Sequence, residues 1–275
     1  MKLQNGGASA GNGGALKVSG HNPVHLSNST ISGNAASGAG GGVYSTGAIT
    51  ITDSTISRNT AGTGNGGGIM SSCTTLSIDG STINGNTATH GQGGGTFADT
   101  ANTELTNSTV QGNYAQRGGG IYTDMATLNF CTISGNTTQS GNAGDGLLVK
   151  AYSTANSTLM FGNNPGNDVD AGTSGLALGG GYDLIGAHGS NISIPANSKS
   201  CDSQLGSLAE YGGAAQTLAL IESSCAFNAG PTMPPRDLVN DQRGNHYPRL
   251  IGTATDIGVF EVPPIDRIFI DGFDR

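Results

Sequence analysis

Short stretches that alternate apolar and polar residues recur along the first half of the chain. The most regular copy is DSTISRN at residues 53–59, and further copies close at Asn34, Asn86, Asn113 and Asn136. The closing asparagines, Asn59 included, are separated by 25, 27, 27 and 23 residues. Self-similarity at a fixed period of this length is typical of solenoids, in which each repeat forms one coil.

Within each repeat the apolar residues alternate with period two, as expected for half-buried strands. Two columns of apolar side chains should therefore stack inside the coils. They are Leu26, Ile51, Ile78, Leu105 and Leu128, and Ile31, Ile56, Ile83, Val110 and Ile133. Because strands about 26 residues apart leave no room for a crossover helix, the pattern predicts an all-β fold, a parallel β-helix. We expect about six coils over residues 1–175, a C-terminal segment with further coils and a cap over 176–262, and a tail over 263–275.

Glycine clusters follow the same period and predict one corner of each coil, since glycine tolerates positive φ. They lie at 13–14, 40–42, 66–68, 93–95 and 118–120, with a partial copy at 144–146. The repeated asparagine is expected at another corner, where it accepts the left-handed conformation and bonds to the asparagine of the next coil. The predicted structural ladder is Asn34, Asn59, Asn86, Asn113 and Asn136.

Charge and hydropathy exclude two classes of partner. The formal net charge is −8, and the 11 Lys and Arg residues are scattered, so we expect no nucleic-acid binding. No apolar run approaches the roughly 18 residues of a membrane helix, which predicts no transmembrane segment. The polar start of the chain is also unlike a signal core.

The four cysteines are too widely spaced for a compact zinc motif. Cys73 and Cys131 lie within the repeats, where a buried thiol acts as a small apolar side chain. Cys201 and Cys225 lie together in the C-terminal segment, and we predict a disulfide between them, which implies an oxidising compartment. The five histidines share no metal-ligand spacing, so we expect no metal site there and no cofactor.

Two sets of motifs resemble known families. The recurring Ser-Thr-Ile-Ser-x-Asn element, followed by Gly-Gly-Gly-Ile-Tyr, resembles the repeats of bacterial surface β-helix proteins related to the chlamydial polymorphic outer-membrane proteins. Motifs in the C-terminal segment resemble the ordered elements of the bacterial choice-of-anchor Q domain. They lie at 181–186, 205–213, 217–220, 226–230, 241–244 and 256–261. The resemblance implies a right-handed parallel β-helix and export to the cell surface or medium, but it supplies no catalytic motif.

One column of polar residues is a candidate for chemistry. Four residues beyond the last glycine of each corner lie Thr46, Ser72, Asp99, Asp124 and Lys150. Stacked coils would bring the backbones of the two aspartates to about 4.8 Å, and retaining glycosidases separate their carboxyl groups by roughly 5–5.5 Å. We interpret Asp99, Asp124 and Lys150 as a candidate catalytic set, or the two aspartates as ligands of a calcium ion. The alternative is a solvated turn.

Aromatic residues follow the same period. Two residues beyond the corner glycine lie Leu16, Tyr44, Met70, Phe97, Tyr122 and Leu148, on the same face as the aspartates by alternation. Stacked rings beside carboxylates are similar to the sugar-binding surfaces of β-helix polysaccharide enzymes, so Tyr44, Phe97 and Tyr122 are candidate ligand-binding residues. The alternative is that this column faces the core.

A row of threonines precedes the inward isoleucines and should point outward. It consists of Thr30, Thr55, Thr82, Thr109, Thr132 and Thr158. Flat threonine rows are typical of ice-binding solenoids, whereas the simpler explanation is the preference of β-branched residues for strands. Asn84 and Gln111 interrupt the neighbouring column and count against ice binding.

The sequence therefore predicts a secreted or cell-surface β-helix with a structural or adhesive role, displaying a lateral face to a glycan or partner protein. A polysaccharide lyase or glycoside hydrolase using the acidic column is the alternative, and ice binding is a minor one. Because the chain starts inside a coil without a cap, open strand edges also predict either end-to-end self-association or a missing upstream segment.

Overall fold

The computed structural model describes residues 1–8, 11–20, 22–72, 75–139 and 144–263. It is an all-β parallel solenoid of about seven turns, with coils about 26 residues apart, so the predicted fold class is confirmed. The described residues contain no α-helix, and hence none long and apolar enough to cross a membrane. Cys73, His21 and residues 264–275 of the expected tail lie outside the described part of the chain.

The strands are short and follow one another without helices. The first are β1 (Lys2–Gln4), β2 (Gly7–Ala8), β3 (Leu16–Val18), β4 (Val24–Ser27), β5 (Thr30–Ser32), β6 (Ala35–Ala36), β7 (Val43–Ser45), β8 (Ile49–Thr52), β9 (Thr55–Ser57), β10 (Thr60–Ala61), β11 (Ile69–Ser71), β12 (Thr75–Asp79), β13 (Thr82–Asn84) and β14 (Thr87–Ala88). The next are β15 (Thr96–Thr106), β16 (Thr109–Gln111), β17 (Tyr114–Ala115), β18 (Ile121–Asn129), β19 (Thr132–Ser134), β20 (Thr137–Thr138), β21 (Leu147–Val149) and β22 (Ser153–Asn156). The last are β23 (Leu159–Phe161), β24 (Val169–Ala171), β25 (Leu176–Gly181), β26 (Leu184–Ile185), β27 (Ile192–Ser193), β28 (Leu208–Ala209) and β29 (Thr217–Leu218).

Three parallel sheets run along the solenoid in the described chain. The threonine sheet has the order β1-β5-β9-β13-β16-β19-β23-β26, and the short sheet has the order β2-β6-β10-β14-β17-β20. The long sheet contains 13 strands and includes two runs, one through β3, β7 and β11 and one through β4, β8 and β12, which join in β15 and β18. Parallel pairing continues beyond residue 175, to β26 and β27.

The interior of the coils is filled by stacked aliphatic side chains. The two predicted columns are buried along their whole length, and neither exposes more than 6% of any side chain. Successive coils pair in register, so that Ile56 lies between Ile31 and Ile83. The core is therefore a set of ladders that repeats every coil.

Each coil turns at three corners, and each corner holds a residue with left-handed φ. The first column is Asn28, Asp53, Gly80, Asn107, Phe130, Ser157 and Tyr182; the second is Asn5, Gly33, Arg58, Gly85, Gly112, Gly135 and Gly162; the third is Gly13, Gly40, Gly66, Gly93, Gly118 and Gly144. The predicted glycine corner is the third of these. The ladder asparagines themselves are not left-handed, contrary to the prediction, because the residue before each of them makes the turn.

The asparagines form a continuous buried ladder. Asn59 Nδ2 donates hydrogen bonds to Asn86 Oδ1 (2.9 Å) and to the Ile31 carbonyl (3.0 Å). Asn59 Oδ1 accepts from both the backbone N–H and Nδ2 of Asn34. This pattern repeats from coil to coil, so the buried amides are satisfied, as buried polar groups require. Asn163 extends the ladder by one coil beyond the prediction.

The ladder ends at a carboxylate. Asn163 donates to Asp168 Oδ1 from its backbone N–H and from Nδ2, at 2.9 and 2.7 Å. Asp168 Oδ2 accepts from the Ala187 N–H at 2.7 Å. An acceptor-only group is suited to this position, because the last amide donors of the ladder need partners and no further asparagine follows.

The C-terminal segment covers the outer side of the threonine sheet. Gln242 Nε2 donates to the Ser81 carbonyl, and the Val259 N–H donates to Thr132 Oγ1. Further along the axis, Leu159 and Leu184 pack into an apolar cluster with Leu220, Ala226, Ile257, Val259 and Phe260. The threonine sheet is thereby covered from Thr82 onward, whereas Thr30 and Thr55 in the earlier coils stay half-buried.

The threonines from Thr30 to Thr132 form one column in register, as predicted, but the row is open only at Thr30 and Thr55, which are half-buried. Thr82, Thr109 and Thr132 point outward but are buried beneath the C-terminal segment. Thr158 is not in the row, because Leu159 is the residue that pairs with Thr132. Two half-buried threonines, Thr30 and Thr55, leave little of the flat hydroxyl surface that ice binding needs.

Candidate functional site

The acidic column lies on the long sheet at a break in strand pairing. β15 and β18 pair in register up to Ala98 and Thr123, and pairing resumes at Asn102 and Met125. Three residues of β15 therefore face a single residue of β18, which is a bulge in one strand. Bulges re-aim side chains, and the bulge contains Asp99 on β15 and Asp124 on β18.

The structure brings Asp99, Asp124 and Lys150 together. Lys150 Nζ lies 2.5 Å from Asp99 Oδ1 and 3.7 Å from Asp124 Oδ1. The Lys150 backbone N–H also donates to the Asp124 carbonyl at 3.0 Å. The three side chains expose 44%, 41% and 29% of their surfaces, in that order, so the cluster is open to solvent and its ion pairs stabilise the fold little.

The charges of these three side chains favour an ion-pair cluster over a catalytic acid–base pair. The pKa of Lys150 is raised above its ordinary value, chiefly because its ammonium donates a hydrogen bond to Asp99. Lys150 is therefore a cation at neutral pH and has no lone pair with which to act as a base. Its ammonium lies within ion-pair distance of both carboxylates and compensates one of the two charges.

A calcium ion fits this cluster poorly. Calcium takes six to eight oxygen ligands, and Lys150 already contacts Asp99. Within the described residues there is also no group of three or more His, Cys, Asp or Glu side chains arranged to hold a metal. Calcium binding between Asp99 and Asp124 stays an untested prediction.

The aromatic column lies on the outer side of the long sheet and not in the interior. In register, Lys17, Tyr44, Met70, Phe97, Tyr122, Leu148 and Asp170 follow one another. Leu16 pairs with Val43 instead, so placing it in this column was wrong. The rings of Phe97 and Tyr122 stack, with centroids 5.0 Å apart and planes inclined by 16°.

These rings form a small apolar cluster of their own. Phe97 and Tyr122 expose only 6% and 8% of their surfaces and pack with Leu148, and Met70 lies against them. Tyr44 is half-buried. Ligand binding by Tyr44, Phe97 and Tyr122 stays a prediction, and the burial of two of the rings counts against a stacking platform for sugars.

The C-terminal motifs at 241–244 and 256–261 meet in a buried ionic cluster. It consists of Asp241, Arg243, Arg249, Asp256 and Glu261, each at most 6% exposed. Arg243 Nη2 donates to Asp241 Oδ2 (2.5 Å) and to the Glu261 carbonyl (2.6 Å). The guanidinium of Arg243 also lies between the rings of Tyr247 and Phe260.

Arg249 joins this cluster to the solenoid. Its Nη2 donates to Asn107 Oδ1 (2.5 Å) and its Nη1 to the Gly258 carbonyl (2.8 Å), and its guanidinium lies 4.6 Å from the centre of the Phe130 ring. Asn107 and Phe130 are corner residues of consecutive coils. Glu261 Oε2 lies 3.9 Å from Nη1. The sequence gives no signal for this role, because Arg249 lies between the two motifs.

The cluster is structural in character. Burial raises the pKa of Glu261 to about 8 and that of Asp256 to about 6, while burial lowers the pKa of Arg249. Three carboxyl groups face two guanidinium groups, and a proton held by Glu261 balances the charge. Since no member is open to solvent, we assign the motifs to fastening the C-terminal segment and not to catalysis.

A second ladder ends at a buried acid. The hydroxyl groups of Ser29, Ser54 and Ser81 each donate to the backbone carbonyl two residues earlier. Ser54 Oγ also accepts from the Ser29 N–H, and Ser81 Oγ accepts from the Ser54 N–H. Cys131 and Thr158 continue the column, and Thr158 N–H donates to Asp183 Oδ1 at 2.9 Å. Asp183 Oδ2 is buried without a hydrogen bond partner among the described residues.

Replacing Asp183 with asparagine will stabilise the protein in mildly alkaline solution. Burial raises the pKa of Asp183 from 3.8 to about 8, so its contribution is complete below pH 4 and is lost as the pH rises through about 8. Asparagine keeps the acceptor for Thr158 but never ionises. We expect a gain of about 1–3 kcal/mol at pH 8.5 that vanishes near pH 4, measured by thermal unfolding.

The exposed carboxylate of Asp237 provides the control for this prediction, since Asp237→Asn should change stability little at either pH. A difference between Asp183→Asn and the parent that stays constant from pH 4 to pH 8.5 would contradict the buried ionisation.

The cysteines divide into a bonded pair and a buried thiol. Cys201 and Cys225 form a disulfide, with a Cα–Cα distance of 6.5 Å. Cys131 is a free thiol within the serine ladder, and burial raises its pKa to about 12. A thiol that stays protonated and buried is unreactive, so it has no catalytic character.

Comparison of the chain with family models, with curated proteins and with solved structures gave no match. The resemblances to polymorphic outer-membrane repeats and to the choice-of-anchor Q domain therefore stay expectations. The demonstrated classification is the fold itself, and the chain is a parallel β-solenoid.

Proposed function

We propose that the protein is a secreted or cell-surface structural and adhesive solenoid that displays one lateral face to a glycan or a partner protein. The observation that carries this proposal is an open row of outward side chains on the long sheet, which we call the lateral face. It consists of His25, Thr50, Ser77, Glu104, Thr127 and Thr154. None of these residues is buried.

The lateral face is suited to repetitive contacts. Its side chains recur once per coil, at the roughly 4.8 Å spacing of paired strands, and most are short and polar. The backbone beneath them is fixed by the ladders of the core, so the row is preorganised and loses little entropy on binding. The threonine sheet is covered from Thr82 onward, whereas the residues of the lateral face keep solvent exposure in every coil.

The disulfide between Cys201 and Cys225 supports the proposed location. Disulfides persist in oxidising compartments and are rare in the cytosol of most cells. The low content of charged residues and the polar, Ser- and Thr-rich surface agree with an extracellular setting.

A pair of lysines on the lateral face will weaken binding. We expect Thr127→Lys with Thr154→Lys to reduce retention on immobilised polysaccharides about tenfold, because long charged side chains would block close approach to the row. The matched control is Thr87→Lys with Thr137→Lys, since these threonines point outward from the short sheet with similar exposure. Equal retention of both variants and the parent would contradict the proposal.

A polysaccharide-active enzyme is the second candidate, because the structure brings Asp99, Asp124 and Lys150 within ion-pair distance. The two functions differ in their products. The same polysaccharides should be assayed for new reducing or unsaturated ends with the parent and with the Asp99→Ala, Asp124→Ala double variant. Adhesion predicts no new ends with either protein, whereas ends that disappear in the double variant would establish the enzyme.

A further inference from the structure

A proline-rich stretch of the C-terminal segment, residues 231–238, stands as a wall beside one corner of the solenoid. The Pro231 carbonyl accepts hydrogen bonds from the backbone N–H and the side-chain hydroxyl of Thr255. The Leu238 N–H donates to the Pro235 carbonyl. The Pro231 end is therefore held by Thr255, the Pro235–Leu238 end forms a turn, and the three prolines restrict the backbone.

Between this wall and the coils lies a groove of about 690 Å³. Its floor contains Asn129 and Asn156, its far edge contains Tyr182, and its wall contains Met233 and Arg236. A second hollow of about 460 Å³ continues from Asn129 and Pro235 along the long sheet. The volume lies in the range of sites for small ligands, about 300–1,000 Å³.

The floor offers unused amide groups. Asn156 Nδ2 donates to Asn129 Oδ1 at 3.1 Å, which fixes both side chains on consecutive coils. Asn129 Nδ2 and Asn156 Oδ1 make no other hydrogen bond within the described chain. The groove therefore presents a donor and an acceptor at the spacing of one coil, in a fixed orientation.

Tyr182 holds an exposed ring at a strained backbone position. Its φ is 57°, in the left-handed region, which costs a residue with a side chain about 1–2 kcal/mol. Phe130 occupies the equivalent corner of an earlier coil with φ 51°, but its ring is buried against Arg249. Tyr182 is 48% exposed and the neighbouring Met233 is 81% exposed, so no comparable packing offsets the strain at Tyr182.

We propose that this groove binds an extended oligosaccharide, with the Tyr182 ring stacking on one sugar and the Asn129 and Asn156 amides bonding to its hydroxyl groups. A flat ring beside fixed amide donors and acceptors matches the alternating apolar faces and hydroxyls of a sugar chain. The proposal rests on the proposed function and names its ligand, and the groove adjoins the lateral face, because Ser77 and Glu104 line the second hollow. Arg236 lies where it would meet a carboxylate if the sugar is acidic.

A proline-rich or basic peptide is the competing occupant, since Asp79, Glu104 and Asp237 line the second hollow. The fixed amide pair and the single open ring favour the sugar, because a peptide would need paired backbone partners along the groove. Sequence motifs did not reveal the site, because its two sides are about 50 to 100 residues apart in the chain.

The test compares two tyrosines. Binding of neutral glucose, acidic uronate and N-acetylglucosamine hexasaccharides should be measured by calorimetry for the parent, Tyr182→Asn and Tyr152→Asn. Tyr152 is also exposed, at 61%, but lies outside the groove. Asparagine tolerates the left-handed corner, so Tyr182→Asn should fold at least as stably as the parent. We expect it to lose affinity for the bound sugar about tenfold and Tyr152→Asn to bind normally.

Three results would overturn the inference. They are the absence of binding to any of the three hexasaccharides, equal affinity of the parent and Tyr182→Asn, and binding of a proline-rich decapeptide that depends on Tyr182 while no sugar binds. Sugar binding that is lost in the Thr127→Lys, Thr154→Lys variant but kept in Tyr182→Asn would leave the proposed function standing and remove the groove. Loss of affinity for the uronate alone in Arg236→Ala would identify the bound sugar as acidic.

Discussion

Alanine at Gly94 will destabilise the solenoid by at least about 3 kcal/mol, the upper end of the cost of overpacking. A Cβ atom on Gly94 would lie 2.3 Å from the Gly119 carbonyl oxygen and 2.5 Å from that of Tyr114. Both neighbours are backbone atoms of the next coil, so a rotamer change cannot relieve the clash. The φ of Gly94 is not left-handed, and the requirement for glycine arises from space alone.

The same contact recurs along the axis, which is why one methyl group has a large effect. Gly41, Gly67 and Gly119 would each place a Cβ about as close to the backbone of the adjoining coil. At these glycines the corner backbone packs directly against the backbone of the short sheet, which leaves no space for a side chain. Separating two coils at Gly94 would also stretch the strand pairs and the asparagine ladder on either side.

Two other glycines separate the effect of space from that of conformation. Gly112 has φ 65° and no atom within 4 Å of a built Cβ, so Gly112→Ala should cost only the left-handed penalty of about 1–2 kcal/mol. Gly206 meets nothing closer than 3.5 Å, and Gly206→Ala should be neutral. Thermal and denaturant unfolding of the three variants checks the order, and a Gly94→Ala protein as stable as Gly206→Ala would contradict the packing.

The period of the sequence was sufficient to predict the coils, because each ladder depends on neighbours one repeat away. The isoleucine columns and the asparagine ladder follow directly from this local rule. The asparagine period also continues one repeat beyond the predicted ladder, since Asn163 follows Asn136 by 27 residues. Asp168 could not be found in this way, because it replaces an asparagine out of period.

The predicted columns are wrong by one residue where a repeat departs from the consensus sequence. The first glycine corner has Ala15 where later corners have a third glycine, as the pairing of Leu16 with Val43 shows. Counting from the last glycine therefore selected Leu16 in place of Lys17. Likewise, the repeat that contains Thr158 has its threonine one position early, because the strand register places Leu159 in the threonine column.

The burial of the threonine sheet was beyond any periodic rule. Alternation correctly predicts that Thr109 points away from the core, but it does not indicate what covers that side. The covering residue Gln242 lies 133 positions later. The acidic column has the same limit. The repeat spacing correctly predicts that Asp99 and Asp124 lie near Lys150, but it does not indicate how exposed these side chains are, and their chemistry depends on that exposure.

Replacing Arg249 with alanine will detach the C-terminal segment and lower the stability of the protein by about 3–5 kcal/mol, the cost of breaking a buried ion pair. The substitution removes the bonds to Asn107 and Gly258 and leaves Glu261 and Asp256 facing only one remaining cation, Arg243. The solenoid itself should persist, since its ladders do not pass through Arg249. We therefore expect the β-sheet circular dichroism signal to remain while the segment becomes sensitive to chymotrypsin.

The effect of the Arg249 charge on stability can be measured separately from the effect of its packing. Arg249→Met keeps much of the volume. Above pH 8, where Glu261 loses its proton, adding Glu261→Gln removes a carboxylate that the lost guanidinium no longer compensates, so the double variant should be more stable there than Arg249→Met alone. Arg236→Ala is the control, because Arg236 is an exposed arginine of the same segment. If Arg249→Ala melted at the parent's temperature and resisted chymotrypsin equally, the cluster would not be what holds the segment on the threonine sheet.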